Sequence, residues 1–121
     1  MATVDINSEE FDSLISKNAI VFVDFWAAWC GPCRQFAPIY ESASEKYPDI
    51  VFAKVDTDAE QEIASSAGIS SIPTLMIFRD GILLFNQPGA LPAPALEELI
   101  SKVRALDMDA VRMEIAQPSK K

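Results

Sequence analysis

Two cysteines stand three residues apart in the run Trp29-Cys30-Gly31-Pro32-Cys33, and they are the only thiols in the chain. Residues at i and i+3 of a helical turn lie about 5–6 Å apart, a span that a disulfide can bridge. So short a ring removes little freedom from an unfolded chain, which makes a purely structural bridge a weak explanation. Reversible thiol–disulfide exchange is the better one. The apolar spacing that follows is helical, so the pair falls at a helix N-terminus. Unpaired N–H groups and the positive end of the helix dipole stabilise a thiolate there and lower its pKa. Cys30, the first of the pair, is expected to be the exposed one and therefore the attacking sulfur. Gly31 and Pro32 keep the loop tight, and Pro32 suits a first helical turn.

Asp24 is the second unusual residue. It interrupts the apolar stretch Ala19-Ile20-Val21-Phe22-Val23-Asp24-Phe25-Trp26-Ala27. Alternate residues of a strand share a face, so Asp24 lies with Phe22 and Trp26. A carboxylate on an apolar face is costly to ionise, and its pKa should rise. That suits a proton acceptor for a thiol, directly or through water. The alternative is a half-solvated aspartate at a strand end with a structural role only. Lys54, in the next apolar run, could be its charge partner. Pro73 precedes a segment that reads as a central strand. It cannot donate to a ladder, so it belongs at the strand start or in a special turn.

Composition removes other chemistries. The chain has 121 residues and no histidine. A Ser-His-Asp triad, a Cys-His protease and a His-x-x-x-His zinc site are therefore excluded. Four scattered glycines (Gly31, Gly68, Gly81 and Gly89) cannot build a phosphate loop or a dinucleotide fingerprint. Ten basic against 18 acidic residues give a net charge of −8. This disfavours nucleic acid and anionic membranes as partners. The N-terminal stretch carries Asp5, Glu9, Glu10 and Asp12 without an apolar core, so no signal peptide is expected. The expected compartment is the cytoplasm, where a cysteine pair is seldom a permanent bridge.

The elements that must position these groups can be read from pattern. Val4–Ile6 forms a short strand. Asn7 caps a helix, with Glu10 completing a capping box and Phe11, Leu14 and Ile15 on one face. Residues 19–27 form a strand buried on both sides. Arg34–Tyr47 is helical, with Pro38 expected to kink it. Ile50–Val55 is a second buried strand, and Glu60–Ala67 a helix closed by Gly68. Thr74–Arg79 and Ile82–Phe85 flank Asp80-Gly81, a hairpin signal. Ala93–Leu106 is the last full helix. The order implies an α/β domain with a mixed sheet. Met108, Val111 and Ile115 extend the pattern by a helical turn, and Gln117–Lys121 is expected to fray. The chain thus divides into a domain over residues 1–106 and an extension over 107–121.

Taken together these residues resemble the thioredoxin family. The matching segments are Val23-Asp24-Phe25-Trp26-Ala27, Trp29-Cys30-Gly31-Pro32-Cys33, Ala53-Lys54-Val55-Asp56, Ile72-Pro73-Thr74-Leu75, Asp80-Gly81 and Gly89-Ala90-Leu91. The resemblance implies a five-stranded mixed sheet sandwiched by four helices. It implies that Cys30 attacks a target disulfide and Cys33 resolves the mixed disulfide. Asp24 would assist removal of the Cys33 proton, modulated by Lys54. Pro73 would be cis and face the disulfide. Trp29, Gly31, Pro32, Ile72, Pro73, Gly89 and Ala90 would form the surface that receives the target, whose backbone would pair beside Pro73. Electrons would come from NADPH through a thioredoxin reductase, with no cofactor bound to this chain, which would act as a monomer. Pro88 departs from the family pattern, which often has a valine there, and puts target preference at that rim in question. A thioredoxin-fold binding subunit with incidental redox activity is the competing reading. A disulfide-forming oxidant is disfavoured by Gly31-Pro32 and the absent signal peptide.

Overall fold

A computed structural model describes residues 2–116 of the chain. The expected fraying of Gln117–Lys121 lies outside the described residues. The elements run β1 (Thr3–Asp5), α1 (Phe11–Lys17), β2 (Ile20–Trp26), α2 (Gly31–Lys46), β3 (Val51–Asp56), α3 (Gln61–Ser66), β4 (Thr74–Arg79), β5 (Ile82–Pro88), α4 (Ala93–Ala105) and α5 (Met108–Ile115). The strands form one sheet in the order β1-β3-β2-β4-β5. β1, β3 and β2 are parallel, whereas β4 pairs antiparallel with both β2 and β5. This is the mixed five-stranded sheet with four substantial helices that the family resemblance implies, with α5 added beyond them.

The alternation of β2 sorts the core into two layers. Ile20 and Phe22 point to one face, where they meet Phe36 and Tyr40 of α2, Phe52 of β3, and Leu96, Ile100 and Val103 of α4. Val21, Val23 and Phe25 point to the other, against Phe11 and Ile15 of α1. Both faces are covered, which is why β2 reads as a nearly unbroken apolar run. The first layer is aromatic at its centre: Phe22, Phe52, Tyr40 and Phe36 form a chain with neighbouring ring centroids 5.1–5.5 Å apart. Burying one such ring contributes roughly 1.5–3 kcal/mol. Asp24 belongs to this same face, beyond Phe22, so the sheet carries it into the layer under α2.

Local signals act as expected, with shifted boundaries. Asn7 Oδ1 accepts from the Glu10 N–H (2.9 Å), and Glu10 Oε1 accepts from the Asn7 N–H (3.0 Å). The capping box therefore closes a turn one step ahead of α1. α2 continues through Pro38, whose ring nitrogen cannot reach back to the preceding turn. Asp80 and Gly81 both have positive φ (53° and 80°), the conformation of a two-residue hairpin turn. β5 is longer than its apolar run, continuing to Pro88, and a bulge at Leu84 shifts its register against Ile77 and Phe78.

The clearest departure from the pattern is at the C-terminal end. Residues 108–115 form a separate eight-residue helix rather than one added turn. Asp107 caps it, accepting from the N–H groups of Asp109 (3.1 Å) and Ala110 (3.3 Å). The break between α4 and α5 is held from a distant strand. Arg79 of β4 donates to the carbonyls of Val103 (2.7 Å), Arg104 (3.4 Å) and Leu106 (3.0 Å), at the end of α4 where backbone carbonyls run short of helical partners. Arg112 then pairs with Asp80 (3.3 Å) and Asp109 (2.8 Å).

Candidate active site

Cys30 is the N-cap of α2, in extended backbone, and its sulfur accepts from the Cys33 N–H at 3.2 Å. A sulfur so placed receives the hydrogen bond and dipole that favour a thiolate. The two sulfurs are bonded, with Cα atoms 5.2 Å apart. The expected exposure of Cys30 is not met: it is 5% exposed and Cys33 3%. Ala27, Trp26 and Ile72 pack around the bonded pair. The Cys30 sulfur lies 3.7 Å from the Ile72 carbonyl oxygen. The sulfurs thus lie at the floor of a surface whose rim comes from other elements.

Trp29 supplies one side of that rim and is 68% exposed. Its indole N–H donates to Asp58 just after β3, at 3.0 Å, which fixes the ring beside the disulfide. Arg34 donates to the Ala28 carbonyl (2.8 Å) and braces the same loop. Sequence reasoning missed both braces. Asp58 and Arg34 carry no local signal, because their partners are set by the fold. Gly31 and Pro32 lie between the cysteines, Gly31 half-buried and Pro32 exposed.

The opposite side is built at the start of β4. The Ile72–Pro73 peptide bond is cis. The Gly89 N–H donates to the Pro73 carbonyl at 2.7 Å, tying the chain after β5 to the turn before β4. Gly89 has φ +110°, which side-chain-bearing residues rarely adopt. Ala90 follows it, exposed. The structure therefore brings Trp29, Gly31, Pro32, Ile72, Pro73, Gly89 and Ala90 to one end of the sheet around the sulfurs. Pro88 is the register partner of Thr74. With Gly89 bonded to Pro73, this pair is of the non-hydrogen-bonded kind. The Pro88 nitrogen faces away from β4, so the ladder loses no bond to it.

Asp24 is 1% exposed, and its Oδ1 has no hydrogen-bond partner. Burial pushes its pKa from 3.8 up to about 7, partly offset by the charge of Lys54. Lys54 is the register partner of Asp24 across two parallel strands, so both point to one face. Among the described residues no ion pair within 4 Å joins them; the Lys54 ammonium rests over the Trp26 ring, 4.9 Å from its centroid. The Tyr40 phenol of α2 is pushed upward, by burial first and by the Asp24 charge second. Tyr40 donates to the Ala53 carbonyl at 2.8 Å. The half-solvated alternative for Asp24 is thus set aside by its burial.

Among the described residues no group of three histidine, cysteine, aspartate or glutamate side chains could hold a metal ion. None of their helices is long and apolar enough to cross a membrane. What the site offers is a sulfur pair at a helix N-terminus, a buried carboxyl under the same layer and an open rim. That combination defines a thiol–disulfide oxidoreductase.

The Thioredoxin family profile matches residues 2–102. A putative thioredoxin 2 of Streptomyces coelicolor is 54% identical over 116 residues, covering 96% of this chain and 87% of that protein. The structure of a mutant thioredoxin from Halobacterium salinarum is 35% identical with a TM-score of 0.80, covering 87% of this chain and 93% of that one. A structure from work on thiol resolving in yeast mitochondrial 1-Cys peroxiredoxin via glutathione/thioredoxin systems is 33% identical, with a TM-score of 0.76, covering 84% and 95%. The chain belongs to the thioredoxin family, as a protein-disulfide reductase with a Cys-x-x-Cys active site. Thioredoxins bind no cofactor and are reduced by thioredoxin reductase. Membership implies two kinds of partner, that reductase and disulfide-bearing targets.

Proposed function

We propose that this protein reduces disulfides of cytoplasmic target proteins, with Cys30 as nucleophile and Cys33 as resolving thiol. The observation that supports these roles most directly is the Cys33 N–H aimed at the Cys30 sulfur at 3.2 Å. In the reduced protein this donor and the helix end favour the Cys30 thiolate. The thiolate attacks one sulfur of the target disulfide. A Cys30–target bond forms, the target S–S bond breaks and one target thiolate leaves. Cys33 then loses its proton and attacks the Cys30 sulfur. The Cys30–Cys33 bond forms, the mixed disulfide breaks and the second target thiolate leaves. Two electrons pass to the target, and the two departing thiolates take up protons.

Asp24 is the group for the second step. Burial holds its carboxyl near neutrality in proton affinity, where an acceptor and a donor are equally accessible. Lys54 moderates it as the neighbouring charge. Trp29, Gly31, Pro32, Ile72, Pro73, Gly89 and Ala90 receive the target chain, whose backbone adds beside Pro73 like a strand. A peroxidase of the kind named with the yeast relative is one target class. The acidic surface suits neither nucleic acid nor an anionic membrane, and the working unit is a monomer. Residues 1–106 are the catalytic domain and 107–121 an extension, whose helix α5 is tied through Arg112 to Asp80 at the hairpin turn, away from the disulfide.

The test supplies NADPH and a thioredoxin reductase and follows reduction of an exposed protein disulfide. Turnover that requires both cysteines is expected. A folded, reducible sample without turnover would overturn the reductase reading in favour of a binding subunit.

A further inference from the structure

The proton site is not closed by Asp24 and Lys54 alone. Parallel register places Asp5 of β1, Lys54 of β3 and Asp24 of β2 side by side on one face of the sheet. Glu41 of α2 lies over the same face. Its carboxylate accepts from the Ala2 N–H (3.0 Å) and from the Thr3 hydroxyl (2.7 Å), one pleat back from Asp5. Thr3 pairs with Phe52, the residue two before Lys54 on its own face. Glu41 is thus pinned at the β1–β3 seam, on the other side of Lys54 from Asp24. Its ionisation is favoured chiefly by the Thr3 bond, then by the Ala2 N–H, with the Lys54 charge a smaller contribution. The same Lys54 charge lowers the proton affinity of Asp24. One ammonium, unpaired with Asp24 and seated on Trp26, therefore serves two carboxylates.

We propose that Glu41 is a positioning residue for the thiol chemistry: held by β1, it competes with Asp24 for the Lys54 ammonium and so sets how tightly Asp24 keeps its proton. The chain's N-terminal ammonium also favours the ionised Glu41, from the side of Ala2. To the same face β1 contributes Asp5, which is exposed, and β3 contributes Asp56 beside Trp26. α2 contributes Tyr40, whose hydroxyl is committed to Ala53, and the disulfide cysteine Cys33. β4 contributes the apolar Leu75 opposite Asp24. Glu41 differs from Asp5 and Asp56 in being fixed by two bonds to another element.

This inference rests on Asp24 as the proton acceptor, but its test reads Asp24 directly. The midpoint of Asp24 ionisation is followed by NMR of carboxyl-labelled aspartate in the oxidised protein. Glu41→Gln keeps an oxygen for Thr3 and removes the charge. It is expected to lower the Asp24 midpoint by about 0.3 of a pH unit, a twofold change in equilibrium of the size one surface charge exerts. In a Lys54→Met background the same substitution should shift the midpoint by less than half as much. An unchanged midpoint in Glu41→Gln overturns the proposal. So does an equal shift with and without Lys54, because Glu41 would then act on Asp24 directly. Thiol-exchange rates are read against pH in the same variants. If the NMR midpoint moves while the rate profile does not, the assignment of Asp24 as acceptor fails and the competition for Lys54 stands.

Discussion

The carboxyl of Asp24 and the ammonium of Lys54 are neighbours in register, yet the ammonium lies on the Trp26 ring instead of closing on the carboxyl. The charge therefore softens the burial penalty of Asp24 without cancelling it. A carboxyl left in that state stores an unfavourable energy at alkaline pH, and stability should report it.

The sign follows from proton counting. The unfolded carboxyl releases its proton near pH 3.8, whereas the folded one holds it to about pH 7. Between these values the folded chain binds more protons, so stability falls as pH rises through this window and levels above it. The full effect is on the order of 4 kcal/mol. Asp24→Asn should be more stable than the parent at pH 8 by a few kcal/mol, with little difference at pH 4. Urea unfolding of the oxidised proteins at both values measures it. The same variant should slow the resolving step; equal exchange kinetics across pH would remove Asp24 from the proton path.

The sulfur roles are separable by trapping. Cys33→Ser should accumulate mixed disulfides with targets through Cys30, because attack proceeds and resolution does not. Cys30→Ser should trap little. Non-reducing gels with mass mapping of the bridged peptides decide between them, and trapping through Cys33 would reverse the assignment.

Trp29 is a large apolar surface fixed beside the disulfide by Asp58. Truncating such an anchor at an interface commonly costs more than about 1 kcal/mol. Trp29→Ala should lower kcat/KM about tenfold for a protein disulfide, through KM, and much less for a small linear disulfide. Asp58→Ala should act in the same direction, more weakly. An equal loss on both substrates would mean that Trp29 supports the sulfurs and not the target.

Arg79 holds three carbonyls at the α4–α5 junction. Hydrogen bonds from a charged donor contribute about 1.5–3 kcal/mol, and these are partly exposed. Arg79→Ala should cost about 1–2 kcal/mol, and amide exchange in α5 should quicken more than in β2. Reduction of targets should persist, because the junction lies away from the disulfide. Uniform loss of protection would show α5 to be integral to the domain.

The chemistry was legible because it is local. Cys30 and Cys33 share one helical turn, Asp24 breaks an apolar strand, and Asp80-Gly81 names its own turn. The two-faced burial of β2 was equally legible from its unbroken run. What could not be read depends on partners far apart in the chain. The Trp29–Asp58 bond, the grip of Glu41 on β1 and the closing of α4 by Arg79 join residues between 24 and 39 positions apart. The burial of Cys30 has the same origin: position at a helix start suggests exposure, but Ile72, distant in sequence, lies beside its sulfur. α5 carries a weak signal in the sequence because its apolar spacing is short and only Leu106 separates its cap, Asp107, from α4.

Pro88 has a consequence for how the molecule behaves in a crowd. β5 is an outer strand, and an outer strand is a template on which other chains can polymerise. Here the Leu84 bulge breaks its rhythm, and Pro88 withholds an outward N–H next to the disulfide end. The opposite margin, β1, is only three residues long. If targets pair their backbone beside Pro73, as proposed, these margins confine that pairing to the disulfide end. Selective stickiness of this kind allows high concentration without self-assembly.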